Sequence, residues 1–318
     1  MLAESNHLSE ANMQRTKFYK EDFGMFKKGV ITDEISQDFQ TAVELAARYR
    51  LDAVEIRSVW EKGPHELEKG DIERIKSMAK SAGLTVPAIS APFFKCDIDD
   101  PNAIKSHIAI LRKSIRLAQA LDAGLIRGFT FWSKGSFEEN LDKIVSRFEE
   151  PLKILEREDM TLALEFDPNV FAANADKLVK VIRKIDSPRV RALWDPGNDI
   201  YEPEGETPYP DGYEIIKPYM VHMHLKDARR LEDGKVDGMP IGEGQVDYRG
   251  QFRRLLEDGY TGCVMLETHY RPKHGISEEL LALPKGSAFS YLGYEATEEC
   301  LIKWNALLDD VASSLRKE

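Results

Sequence analysis

Apolar and polar positions follow a repeating pattern along most of the chain. Short apolar runs typical of β-strands occupy residues 29–32, 53–57, 85–90 and 125–129. Four further runs of this kind end at Glu165, Asp195, His224 and Glu267. Apolar residues recur at helical spacing at residues 38–50, 71–82, 103–121, 137–157, 175–184, 210–217, 247–258 and 293–315. Eight strands that alternate with helices predict an α/β fold with a parallel sheet, and eight repeats favour a closed (β/α)8 TIM barrel.

The first 25 residues differ from the rest of the chain. Residues 1–25 are polar, mixed in charge and without periodicity, so we expect a mobile or loosely docked N-terminal tail. No low-complexity linker interrupts residues 26–318, and we expect them to form one barrel domain that carries the catalytic site. The glycine-rich motifs of dinucleotide-binding and phosphate-binding loops are absent from the sequence, which argues against an open nucleotide-binding sheet.

Four successive strands end in a side chain that can bind a metal ion. These residues are Glu165, Asp195, His224 and Glu267. The C-terminal ends of all strands open onto one face of a parallel barrel, where active sites are found. Any one of the four could be a structural member of a buried ion pair, but their matched positions favour one shared site. Three carboxylates and one imidazole suit Mn²⁺, Mg²⁺ or Co²⁺, with Zn²⁺ as a further candidate.

Side-chain alternation agrees with a site inside the barrel. Residues two apart in a strand face the same side, so Glu165 shares a face with Ala163. Leu162 and Leu164 form the opposite, apolar face, which suits contact with outer helices.

The predicted ion would determine the chemistry. A divalent cation can polarise a carbonyl and stabilise an enediolate. Glu165 and Glu267 would then lie on different sides of the ion, and we expect them to be the catalytic acid and base that move protons next to that carbonyl.

Charge and cysteine content narrow the class of protein. The net charge is −11 and no basic run is present, so we expect no nucleic-acid partner. The three cysteines have no short spacing, which predicts neither disulfides nor a zinc knuckle. The N-terminus lacks the features of a secretory signal, and no apolar run approaches membrane-spanning length. We therefore expect a cytoplasmic protein without a membrane partner.

The motifs resemble those of the xylose isomerase-like TIM barrels, the sugar phosphate isomerases and epimerases. The resemblance covers roughly residues 26–315 and rests on Leu-Ala-Leu-Glu165, Trp-Asp195-Pro-Gly-Asn198, Val-His-Met-His224-Leu-Lys226-Asp227, Ile-Gly242-Glu-Gly244, Gly259-Tyr-Thr-Gly262 and Leu-Glu267-Thr-His. It implies that Glu165, Asp195, His224 and Glu267 are the metal ligands, and that the two glutamates are the acid–base pair. It also implies a substrate-binding arginine at Arg230, with Arg229 equally suitable.

Two differences from the family pattern limit which of the family's functional residues can be assigned to this chain. The ketose epimerases have a histidine three residues after the strand-six aspartate, where this chain has Asn198. The related apurinic endonucleases need more histidines than the seven present here, which argues against a three-zinc nuclease site.

The remaining polar residues near the strand ends are candidates for the substrate pocket. We expect Asn198, His222, Lys226 and His269 to contact substrate, with His222 in the pocket or behind the ligands rather than on the ion. The long segment from Arg271 to Tyr291 is expected to close over the substrate.

Two reactions remain open on this evidence. The first is a metal-dependent isomerase or epimerase that acts on a ketose or related polyol. The second is a metal-dependent dehydratase of the inosose or dehydroshikimate type, because both reactions begin with proton removal next to a carbonyl. A sugar-binding barrel without turnover is a third hypothesis, which the intact ligand set disfavours. The sequence does not determine the oligomeric state, and it is compatible with a homo-oligomer.

Overall fold

Eight parallel strands form the central sheet of the computed structural model, which describes residues 26–272 and 290–317. The strands of the described chain are β1 (Lys27–Ile31), β2 (Ala53–Glu55), β3 (Ala88–Phe93), β4 (Leu125–Gly128), β5 (Thr161–Glu165), β6 (Val190–Trp194), β7 (Met220–Leu225), β8 (Asp227–Arg230), β9 (Val236–Met239) and β10 (Cys263–Leu266). The sheet order is β2-β1-β10-β7-β6-β5-β4-β3. Parallel bridges from Ala53 to Thr85 and from Ile56 to Ile89 join its two edges. The predicted TIM barrel is thereby confirmed.

Helices follow most strands and cover the outside of the barrel. They are α1 (Phe39–Arg48), α2 (Lys69–Ser81), α3 (Pro101–Ala120), α4 (Phe137–Ser146), α5 (Glu149–Arg157), α6 (Ala175–Ile185), α7 (Pro196–Tyr201), α8 (Tyr213–Ile216), α9 (Tyr248–Glu257) and α10 (Gly293–Leu315). Several begin at a side chain that caps the free backbone N–H groups. Asp100 accepts from the backbone N–H of Asn102 and Ala103 at the start of α3, for example.

Some predicted boundaries were wrong. The single helix expected over residues 137–157 is divided into α4 and α5. Pro151 has no N–H to donate to the carbonyl of Arg147, so the hydrogen-bond ladder cannot run through this point. The third strand begins at Ala88 rather than Thr85, directly after Pro87, which likewise cannot donate to a strand ladder.

The short helix α7 and the hairpin of β8 and β9 were not predicted. Both lie beyond the C-terminal ends of barrel strands. The hairpin pairs Asp227 with Met239 and Arg230 with Val236. Asp227 also accepts from the backbone N–H of Gly242 and Gly244, which fixes the loop after the hairpin.

The two faces of the sheet bury different sets of residues. Leu162 and Leu164 belong to the large apolar core formed with the helices. A separate small cluster consists of Ile31, Ala53, Cys263 and Met265, of which Ala53 and Met265 lie in one row of the sheet on either side of Gly29.

Two predicted segments lie largely or wholly outside the described residues. They are the tail at residues 1–25 and most of the expected lid between Arg271 and Tyr291. Among the helices of the described chain, none combines the length and apolar character needed to cross a membrane.

Candidate metal centre and active site

The four predicted ligands meet at one end of the barrel. Glu165 is the last residue of β5, Asp195 follows β6, His224 lies near the end of β7 and Glu267 follows β10. Each offers one ligand atom, and these four atoms all lie within 4.8 Å of one another. All four side chains are buried.

Glu165 is held at both carboxylate oxygens. Arg127 donates from Nη1 to Oε2 over 3.2 Å, and Asn198 donates from Nδ2 to Oε1 over 3.3 Å. Burial alone would raise the pKa of the Glu165 carboxyl, but Arg127 and His224 lower it below its usual value. Glu165 is therefore held in place as an anion.

Asp195 links the end of β6 to the start of α7. Its Oδ1 accepts from the backbone N–H of Gly197 at 3.0 Å and so caps the helix. Its Oδ2 lies 2.7 Å from Nζ of Lys226. Burial raises the pKa of Asp195 to about 7, although Lys226 opposes this shift.

His224 and Glu267 direct one atom each into the middle of the cluster. Nδ1 of His224 lies 3.4 Å from Oε2 of Glu267 and 3.5 Å from Oε1 of Glu165. Within residues 26–272 and 290–317, neither His224 Nδ1 nor Glu267 Oε2 has a hydrogen-bond partner. The other oxygen of Glu267 accepts from Nη1 of Arg57 at 2.7 Å.

These residues fit a divalent cation. Buried polar atoms are normally satisfied, so two unpartnered ligand atoms that face each other indicate the position of a bound group. Burial would lower the pKa of His224, but the surrounding carboxylates raise it well above its usual value. The cluster thus favours positive charge at its centre, and its oxygen-rich donor set is one that hard or borderline metal ions accept.

A cleft with a cavity volume of about 70 Å³, partly open to solvent, lies beside the cluster. Glu165 and Glu267 contribute to its lining, together with Arg57, Pro92, Lys95, Arg127, Phe129, Asp167, Pro168, Asn169, Asn198, Tyr201, Lys226 and His269. Two of the four predicted ligands therefore border a cavity that opens to solvent.

The predicted substrate-binding residues divide into two groups. Asn198, Lys226 and His269 line the cleft. His222 and Arg230 lie outside its lining. Nε2 of His222 is 2.7 Å from Oε2 of Glu55, and Arg230 donates from Nη2 to the carbonyl oxygen of Ile200 at 2.5 Å.

Glu55, Arg57 and Arg127 belong to the site but were not predicted. Each is a charged residue inside an apolar strand run and is buried in the structure. The signal for all three residues is the side-chain alternation in the runs at 53–57 and 125–129, which puts each of them on the same face as a small or apolar residue two positions away.

The class of protein follows from the barrel and its site. Residues 43–286 match the model of the family described as Xylose isomerase-like TIM barrel, and the chain belongs to this family.

Individual relatives are distant. The L-ribulose-5-phosphate 3-epimerase UlaE of Shigella flexneri is 24% identical over 198 residues, which cover 61% of this chain and 64% of that protein. The match therefore spans slightly less than two thirds of the length of that relative.

Solved structures share the fold at low identity. The IolI protein with a bound zinc atom has a TM-score of 0.69 at 15% identity, covering 90% of this chain and 99% of that one. The probable 3-DHS dehydratase AsbF of Bacillus anthracis has a TM-score of 0.64 at 18% identity, covering 86% and 98%.

Proposed function

We propose that this chain is a divalent-metal-dependent sugar epimerase or isomerase that removes a proton next to the carbonyl of a ketose or related polyol. The observation that carries the proposal is the convergence of Glu165, Asp195, His224 and Glu267 within 4.8 Å beside an open cleft. The similarity to an L-ribulose-5-phosphate 3-epimerase agrees with a carbohydrate substrate.

The four converging residues would hold one divalent ion, with Mn²⁺, Mg²⁺ or Co²⁺ favoured and Zn²⁺ also suitable. When bound, such an ion acidifies the C–H bond next to a substrate carbonyl by withdrawing charge from the carbonyl oxygen.

Glu165 and Glu267 are the proposed acid and base. Arg127 and Asn198 fix Glu165, and Arg57 fixes Glu267, so neither carboxylate needs to reorient before it accepts a proton. Burial would raise the pKa of Glu267, but Lys226 and the neighbouring histidines hold it well below its usual value. Both pKa values favour the anionic form, which the base needs, and the other glutamate acts as the acid only after it has taken up a proton from solvent.

Lys226 and His269 are proposed to bind substrate oxygens from the cleft wall. Burial would lower the pKa of Lys226, but nearby carboxylates raise it, so the side chain stays an ammonium and a hydrogen-bond donor. Asn198 accepts from Lys226 Nζ at 2.7 Å while donating to Glu165. Asn198 therefore orders two functional groups at once.

The proposal is tested by incubating ketoses, inososes and keto acids with the Mn²⁺-loaded protein in D₂O. We expect one ketose class to gain solvent deuterium at a carbon beside its carbonyl and to give its epimer or isomer. If no sugar in the panel exchanges a carbon-bound proton, the proposal is wrong.

A dehydratase is the second candidate, and the position of Lys226 favours it. Loss of a hydroxyl group requires a proton donor, and the Lys226 ammonium lines the cleft beside the cluster. His222, the other donor considered from the sequence, lies outside the lining. The same panel separates the two reactions, because a dehydratase releases a product that has lost one water, whereas an epimer loses no water and differs in mass only by the deuterium exchanged from the solvent.

Three further expectations stay predictions. They are the substrate role of Arg230, the cytoplasmic location and the homo-oligomer. Kinetics of Arg230→Ala, cell fractionation and sedimentation velocity would test them in turn.

A further inference from the structure

Behind the ligand cluster lies a buried carboxylate that the proposed reaction does not use. Glu55, at the end of β2, is fully buried. Its Oε2 lies 2.7 Å from Nε2 of His222, and its Oε1 lies 3.2 Å from Nε2 of His224. Ser90 donates its hydroxyl proton to the same Oε1. Glu55 therefore contacts a proposed metal ligand on the side that faces away from the cleft.

The contact with Glu55 decides which nitrogen of His224 faces the cluster. A carboxylate that already receives donors at both oxygens acts as an acceptor, so Nε2 of His224 must donate. In the neutral ring the lone pair is then on Nδ1. Nδ1 is the atom that lies 3.4 Å from Glu267 Oε2 and lacks a hydrogen-bond partner among the described residues.

We infer that Glu55 is a positioning residue, which acts on the metal centre by holding His224 with Nδ1 directed into the cluster. The inference rests on the proposed metal site. A carboxylate behind a ligating imidazole fixes the ring orientation and the position of the ring proton, and it also makes the ring a stronger donor to the ion.

The same atoms allow a competing explanation. Glu55, His222 and His224 could themselves hold an ion, because their nitrogen and oxygen atoms also lie within 4.8 Å of one another. The short contact between His222 and Glu55 favours a hydrogen bond instead. Ion stoichiometry distinguishes the two explanations.

The test is the Mn²⁺ affinity and stoichiometry of the full chain and of Glu55→Gln, read from the electron paramagnetic resonance signal of free Mn²⁺. Glutamine keeps the size but can donate to Nε2, which would place the ring proton on Nδ1. We expect one ion per chain and an affinity about 10- to 100-fold weaker in the variant. Ser90→Ala is the matched control, because it removes a donor to the same Glu55 oxygen and leaves the contact with His224 in place, and its Mn²⁺ affinity should fall much less than that of Glu55→Gln.

A second measurement reports the position of the His224 ring proton directly. In the Zn²⁺-loaded chain, ¹H–¹⁵N correlation spectra should show the proton of His224 on Nε2. Glu55→Asp serves if the glutamine variant does not fold. It keeps the charge but shortens the reach to the ring, so a loss of affinity and a change in the Nε2–H signal are again expected.

Several results would overturn the inference while leaving the proposed function intact. They are equal Mn²⁺ affinity in the wild-type and glutamine chains, a proton on Nδ1 of His224, or two bound ions of which Glu55→Gln loses one. A wild-type chain that binds no divalent ion would overturn both the inference and the proposed function.

Discussion

Replacing either proposed proton-transfer glutamate with glutamine should strongly reduce turnover, and the two variants should affect the structure differently. At Glu165 both oxygens accept hydrogen bonds, from Arg127 and Asn198. The side-chain NH₂ group introduced by Glu165→Gln would therefore face the N–H group of either Arg127 or Asn198, and one hydrogen bond would be lost. Among the described residues, Glu267 accepts a hydrogen bond at Oε1, from Arg57, so Glu267→Gln can keep that bond, but it removes the negative charge beside Lys226 and His224.

The magnitudes follow from these contacts. Glu165→Gln loses one hydrogen bond to a charged group, and the free energy of unfolding of the metal-free chain should fall by roughly 1.5–3 kcal/mol. Glu267→Gln should also lower it, because the variant loses the carboxylate that Lys226 and the neighbouring histidines stabilise. In turnover, loss of the general base should cost about 10²- to 10⁴-fold, or about 2.7–5.4 kcal/mol in activation free energy.

The assay is deuterium exchange at the substrate carbon with saturating Mn²⁺, together with urea unfolding of the metal-free proteins. In an epimerase each variant should block proton exchange on one face of the substrate only. Near-normal turnover in a metal-loaded glutamine variant would refute the assignment of that residue. Lys226 would then be the next candidate, and the dehydratase would gain support.

Three further predictions concern the ion, the loop and pH. Asp195→Ala should abolish binding of the divalent ion while keeping the fold, and full metal content by atomic emission in the purified variant would contradict the ligand assignment. Residues 271–291 should exchange backbone hydrogens more slowly with saturating substrate, and unchanged exchange would count against closure. Burial and the nearby His65 lower the pKa of His107 to about 4, and its Nδ1 accepts from the backbone N–H of Phe94 at 2.9 Å. As the pH falls below about 6.5, His107 therefore binds a proton in the unfolded chain but not in the folded chain. The free energy of unfolding should then fall by roughly 1–2 kcal/mol between pH 6.5 and pH 4, a value reduced to allow for the partial exposure of the side chain. His107→Gln should flatten this dependence in urea titrations, whereas an equal loss in the variant would exclude His107 as its source.

The local pattern of apolar and polar residues was sufficient to predict the barrel fold. The eight apolar runs, their alternation with helices and the stop residues determine which segments become strands, because periodicity is a property of neighbouring residues. The same pattern placed Glu165, Asp195, His224 and Glu267 at strand ends. Parallel strands in a barrel open onto one face, so convergence of these four could be predicted before any contact was known.

What the sequence could not supply is the pairing between distant residues. Glu55 and His224 are 169 positions apart, and Arg57 and Glu267 are 210 apart, yet each pair is in contact in the fold. His222 and His224 share a strand and a face, and nothing in the local sequence distinguishes the histidine that faces the ligand cluster from the one that contacts Glu55 only. Only the barrel tilt and the stagger of neighbouring strands decide which atoms meet, because they set the height of each side chain along the axis. The sequence by itself therefore determined the fold and the set of possible ligands, and the tertiary structure decided which of their atoms converge in the cluster and which residues hold them there.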